Sequence, residues 1–380
     1  MVYFVLIIVV IFGVVKYDLY GDTQGRHRTI AFLWLYSILI MGLRYRVGID
    51  SLNYIESYDY LPNLSQLNFS ELFDSAYAPL YLILSAFSKS INPSFYTLQI
   101  FHTIIINTCI FYFIYKNSDR VFIGLLMYFV LYFLYFNTEI LRESLAVSIL
   151  LLNYKNFSDK KWIKYYLITI IAILFHYSAS ILLFFPLLRN LKLNFGYLFI
   201  IAIFIFVLLR LEPYLKFLEV FEQISKKVEV YVDSDKLNIV WVLYNLILTT
   251  IFPLFLLFIW KFVLKQNSRF EYLVCIHALL GIGIIFYQPI FFRFTNYTMP
   301  FYALFLVELI SYAYNSLLGR KVFFKLLFLI IFIIYGSAYF LSTEYYAANS
   351  RRYNIWFPYH SIFDEKMEEK RETIWTNQFS

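Results

Sequence analysis

Charge is scarce in this chain: Asp, Glu, Lys and Arg make up 15% of its 380 residues, against roughly a quarter in ordinary soluble domains. A water-soluble globule needs more polar surface than that, so a soluble enzyme or binding domain is excluded. Cysteine occurs only at Cys109 and Cys275, each inside an apolar run. That argues against a disulfide framework or a thiolate metal site and predicts two buried thiols. Glycine contributes 11 residues and proline 9. No glycine-rich phosphate loop, serine nucleophile elbow or His/Cys metal spacing appears among them, so no metal or other cofactor is expected.

Apolar residues are abundant instead, at 61%, and 22% of the chain is aromatic. Runs at 2–15, 121–136, 197–209, 240–260 and 322–341 carry almost no charge and are separated by short basic or mixed segments. They read as transmembrane helices, some short and tilted or extended by aromatic flanks. A closed barrel would alternate with period two, whereas these runs are apolar on every face, so a barrel is rejected. The run at 2–15 lacks a basic leader and a small-residue cleavage pattern, and reads as a retained first helix. The expected fold is an all-α polytopic bundle of about 12 to 13 spans. It forms a single membrane domain over 1–380, with no soluble domain attached.

Lys and Arg in short loops favour the cytoplasmic side. The loops 16–28, 116–120, 155–164, 189–192, 261–269 and 320–325 hold about 17 of the 32 basic residues and about 4 of the 25 acids, and are assigned there. The larger segments 44–77, 211–238 and 342–380 then lie outside, with both termini. One segment, 78–91, would reverse every later helix if it crossed. It is short and carries Lys89, so a re-entrant or interfacial path is expected. The net charge of +7 follows from this topology, and nucleic-acid binding is not indicated.

A charge at mid-bilayer costs roughly 2.5 to 3.5 kcal/mol on insertion scales, so charges near spans need individual reasons. Arg44, Arg46 and Asp50 follow the second span in Gly42-Leu43-Arg44-Tyr45-Arg46-Val47-Gly48-Ile49-Asp50, with Asn53 and Tyr54 close behind. Two guanidinium groups beside a carboxylate can grip a diphosphate and orient an acid or base. They can equally form an interfacial salt bridge that ends the helix. Arg142 lies near a span start, with Glu139 on the same helical face; it faces a wet cavity or pairs with that acid. His176 closes a span in Phe175-His176-Tyr177-Ser178-Ala179, either as a proton-transfer group or as a hydrogen-bonded anchor. Arg293 sits between two spans, and Arg351 and Arg352 precede Tyr353 in the tail. All fall on the less basic face. His102, Asn107 and His277 are expected to hydrogen-bond between helices. Glu308 must be paired or functional, and the sequence supplies it no partner.

Taken in order, the Arg44 to Asp50 run with Tyr54, Arg142-Glu143-Ser144-Leu145-Ala146, Phe175-His176-Tyr177-Ser178-Ala179, Arg293-Phe294 and Phe357-Pro358-Tyr359-His360 make the chain resemble the EpsG-like, Wzy-type polymerases of bacterial exopolysaccharide, capsule and O-antigen synthesis. The resemblance implies a metal-independent glycosyltransferase in the bacterial inner membrane. Such an enzyme moves a growing chain from its polyprenyl diphosphate onto another lipid-linked repeat unit at the outer face. Arg44, Arg46, Arg293, Arg351 and Arg352 would hold diphosphates, and Arg142, Asp50 and His176 would act on the reacting atoms. A chain-length regulator and a flippase would be its protein partners. Rival expectations are a flippase of lipid-linked oligosaccharides, an outer-face acyltransferase using His176 as base, and a non-catalytic scaffold.

Overall fold

Long stretches of apolar side chains with few glycines and prolines can satisfy their backbone groups in lipid only by helix formation. A computed structural model describes residues 2–48, 50–68, 72, 75, 77–194, 196–197, 200–201, 203, 239–284, 288–315, 356 and 359–364. Among them the chain is helical, with no strand and one isolated antiparallel bridge, Arg44 to Ser361. The chain divides into two units, residues 1–177 with 310–380, and residues 178–309. Much of the expected runs at 197–209 and 322–341, the outer segment 211–238 and most of 342–380, including Arg351 and Arg352, lie outside the described residues.

In the first unit, α1 (Val2–Gly13) continues through a widened turn, Val14–Leu19, and is followed by α2 (Arg26–Gly42) and the short α3 (Ser51–Asp59). Next come α4 (Pro79–Ile91), α5 (Phe95–Asn117), α6 (Val121–Leu131), α7 (Phe133–Thr138), α8 (Leu141–Ser158) and α9 (Trp162–Phe175). The second unit holds α10 (Ile239–Leu246), α11 (Phe252–Phe258), α12 (Glu271–Gly283), α13 (Gln288–Asn296) and most of α14 (Met299–Asn315). Three helical stretches, Val2–Leu19, Phe95–Asn117 and Leu243–Val263, are long and apolar enough to cross a bilayer; six shorter apolar helices accompany them.

Both units are inside-out relative to a soluble protein. Phe4, Ile8 and Ile11 on α1, Ile163, Leu167 and Ile170 on α9, and Leu243, Ile247, Ile251, Phe255, Phe258 and Phe262 along α10 and α11 are exposed. Their spacing of three and four gives continuous apolar stripes, which water would not tolerate and lipid does. Polar groups face inward and bond between helices. His102 and Ser144 share a hydrogen bond of 2.9 Å. Asn107 donates to Asn137 at 2.9 Å, Tyr128 donates to Asn107 at 2.9 Å, and Asn137 donates to Tyr128 at 3.1 Å, closing a ring across α5, α6 and α7. In the second unit His277 bonds Thr298 at 2.8 Å. Such contacts average about 0.6 kcal/mol each in membrane bundles. Glu308 also finds its partners, Arg269 at 3.0 Å and Ser268 at 2.5 Å. Both cysteines are free and buried.

The first unit also shows which loops share an end. The Ile123 N–H donates to the Asp18 carboxylate at 2.8 Å, Tyr17 and Thr29 share a hydrogen bond of 2.9 Å, and the Tyr314 hydroxyl donates to the Leu19 carbonyl at 3.1 Å. The basic loops 16–28 and 116–120 and the helix leading toward 320–325 therefore meet at one end, as their common charge requires. At the opposite end α4 behaves differently from its neighbours. Its 13 residues reach only about 20 Å at 1.5 Å per residue, short of the roughly 30 Å hydrocarbon core. Near its start Tyr81 lies beneath Arg142, whose guanidinium is 5.9 Å from its ring. Near its end the Lys89 ammonium donates to the carbonyls of Tyr58, Asp59 and Leu61 at 3.0, 2.9 and 2.6 Å. Those three carbonyls lie at and just past the end of α3, where backbone acceptors run out of intrahelical donors. Lys89 thus ties the end of α4 to the end of α3.

Candidate active site

The end of α2 is fixed by a side chain from another helix. Gln99 on α5 donates to the carbonyls of Gly42 and Arg44 at 2.7 and 2.9 Å. The chain then turns sharply, with Arg46 at φ 48 and Gly48 at φ 105, conformations that side chains with a Cβ disfavour. Gly48 is also pressed against the α7–α8 junction. A Cβ there would lie 2.7 Å from the Thr138 Cβ and 2.9 Å from Glu139 Oε1. The tail covers the turn from the other side. The Tyr45 N–H donates to the His360 carbonyl at 2.7 Å, and the Ile362 N–H donates to the Leu43 carbonyl at 2.8 Å. Tyr359 adds a hydroxyl bond to the Ile40 carbonyl at 2.9 Å.

Four of the sequence-predicted residues converge on this region. Arg44 is 0% exposed; its Nη1 donates to the Met41 carbonyl, while Nε and Nη2 have no hydrogen-bond partner. Burial lowers its pKa to about 10, opposed by Tyr3, Glu139 and Tyr359 nearby, so it stays a cation at neutral pH. Arg46 is half-buried with its guanidinium 5.2 Å from the Tyr45 ring. Asp50 precedes α3, and its Oδ1 accepts from Asn53 at 3.5 Å. Arg142, at the start of α8, sets its guanidinium 5.0 Å from the Tyr77 ring and 5.9 Å from that of Tyr81. Tyr54 lies beside it, with its hydroxyl pKa pushed up by burial and pulled back by Arg142.

Helical spacing put Glu139 on the face of Arg142, with an ion pair between them as one of two readings. Glu139 turns elsewhere, because α7 ends at Thr138 and α8 begins only at Leu141, which breaks the helical spacing between the two. Its Oε2 accepts from the Asp50 N–H at 3.1 Å, and its Oε1 accepts from Thr138 at 2.9 Å and from the Trp356 indole at 3.2 Å. The carboxylate is 7% exposed. Glu139, Gly48, Gln99, Tyr77 and Trp356 were not singled out as site residues from the sequence. A carboxylate in an apolar surrounding was a usable signal for Glu139; nothing local pointed to the other four.

His176 ends α9, with its N–H closing on the Ala172 carbonyl at 3.1 Å and its side chain half-buried. Helices α8 and α9 run antiparallel, since Asn153 late in α8 donates to the Tyr165 carbonyl early in α9 at 2.9 Å. His176 therefore lies at the Arg142 end. Arg293 sits half-buried on α13 in the second unit. Arg351 and Arg352 lie outside the described residues.

Apolar outer stripes, polar interhelical bonds and a cluster of cations and carboxylates at the less basic end define a polytopic membrane protein with a charged site at one end of its first unit. A model of the EpsG family matches residues 27–361, so this chain belongs to the EpsG family. Neither the curated proteins nor the solved structures yield a match.

Proposed function

We propose that the chain polymerises polyprenyl-diphosphate-linked oligosaccharide repeat units for a bacterial surface polysaccharide, at the outer face of the inner membrane, within a bundle of about twelve spans. The observation that carries the reading is the gathering of Arg44, Arg46, Asp50 and Arg142 at the end opposite the basic loops, in a chain of the EpsG family.

In the proposed step an acceptor-sugar hydroxyl attacks the anomeric carbon of the donor chain. The new glycosidic bond forms as the bond to the diphosphate oxygen breaks. Polyprenyl diphosphate leaves with that electron pair, and the hydroxyl proton passes to Asp50 or His176. The charge developing on the leaving diphosphate is met by fixed guanidinium groups in a partly dry site, where such donors act most strongly. Arg142 and Arg46 are the direct contacts in this reading. Arg44, wholly enclosed, contributes its field from beneath the turn. No step requires a metal.

The test is reconstitution of the purified protein with lipid-linked repeat units and resolution of products by length. A ladder from wild type that is lost in Arg142→Ala supports the reading. Absence of a ladder from folded wild-type protein with confirmed substrate overturns it in favour of transport of the same lipid-linked oligosaccharide.

A further inference from the structure

Three segments far apart in sequence meet at one carboxylate. Glu139 receives the backbone N–H of Asp50 from the 43–50 turn, the indole N–H of Trp356 from the tail, and the hydroxyl of its neighbour Thr138. Thr138 in turn also accepts from the Trp356 indole, at 3.1 Å. The Tyr54 hydroxyl donates to the Glu139 carbonyl at 3.0 Å, so α3 is tied to the same residue twice, once through the backbone before it and once through its own side chain. Gly48 leaves no room between the turn and this carboxylate.

We infer that Glu139 is the positioning residue of the site. Its carboxylate sets the turn bearing Arg46 and Asp50 and fastens the tail across it. The inference rests on the proposed polymerase reading for its kinetic consequence, though not for the contact itself. The carboxylate is suited to the task because it accepts only and both its oxygens meet donors, Oε2 the Asp50 N–H and Oε1 the Thr138 hydroxyl and the Trp356 indole. A leucine of similar size cannot do this: it leaves the Asp50 N–H without its acceptor and the Trp356 indole with Thr138 alone. Such a loss leaves buried polar groups unsatisfied and releases the turn.

The experiment compares wild type, Glu139→Leu, Trp356→Phe and the double variant, each purified and confirmed monodisperse. Amide hydrogen exchange is read over residues 43–54 and 359–364, and polymerisation kinetics are read per folded protein. Glu139→Leu should speed exchange in both segments and lower kcat by about a hundredfold, the scale of an ångström-level misplacement, while KM for the lipid-linked unit moves by about twofold or less. The double variant should lose less than the two single effects added together, because Glu139 and Trp356 share a contact. Unchanged exchange in the two segments overturns the inference, as does an unchanged kcat in folded variants accompanied only by lower thermal stability. If wild type forms no ladder, the polymerase reading falls and the exchange data alone decide the positioning contact.

Discussion

Substituting alanine at Gly48 sets two penalties side by side. The residue occupies φ 105, where a side chain with a Cβ costs about 1 to 2 kcal/mol. The added methyl would also lie 2.7 Å from the Thr138 Cβ, a contact that backbone or rotamer shifts must relieve at about 1 to 3 kcal/mol. Together these give roughly 2 to 5 kcal/mol, set against net stabilities of about 5 to 15 kcal/mol in folded proteins. Gly21 supplies the control. It has φ 74 with nothing within 4 Å of its Cβ position, so Gly21→Ala carries only the backbone penalty. Thermal unfolding of the purified variants in one detergent should rank wild type above Gly21→Ala and Gly21→Ala above Gly48→Ala, and only Gly48→Ala should lose polymer. A Gly48→Ala protein that melts with Gly21→Ala and polymerises normally would refute the claim that this turn is seated by close approach to Thr138 and Glu139.

Other perturbations follow from the same geometry. Arg142→Lys keeps the charge but gives up the flat guanidinium above Tyr77 and Tyr81, and should cost about 10² to 10³ in turnover; a wild-type ladder from the folded variant would remove Arg142 from the site. Lys89→Met removes an ammonium shared by three carbonyls at the end of α3 and should lower stability by about 1 to 3 kcal/mol, with an unchanged melting temperature as the contrary result. Asn137→Leu breaks the ring with Asn107 and Tyr128 and should destabilise by a similar amount, with little effect on kcat for the folded fraction; a selective loss of turnover would mean that the ring belongs to the site. Single cysteines at Ser65 and Asn92, in a background with Cys109 and Cys275 replaced by serine, should react with a membrane-impermeant thiol reagent from the same side. Labelling from opposite sides would make α4 a full span.

Much of the architecture was legible without the fold. Hydropathy is a local property that adds along the chain, so the apolar runs around Val2, Val121 and Val240 announced membrane helices, and the basic loops announced which ends belong together. Buried polar residues in such runs have few options, which is why His102, Asn107 and His277 could be assigned to interhelical bonds before any partner was known. Glu308 shows the limit of this logic: that it needed a partner was evident, but Arg269 was not nameable from spacing alone.

The tertiary structure decided the rest. Glu139 bonds the backbone of Asp50 across 89 positions and the Trp356 indole across 217, and no local periodicity encodes contacts at such separations. The sequence placed Glu139 and Arg142 on one helical face, yet the break between α7 and α8 sent them to different neighbours. It placed Arg44 and Arg46 together as ligands, yet the turn and the tail enclosed one and left the other half-buried. Residue type and hydropathy determined that this chain lives in a membrane with cations gathered at one end; the path of the backbone alone determined which of those cations a ligand can reach.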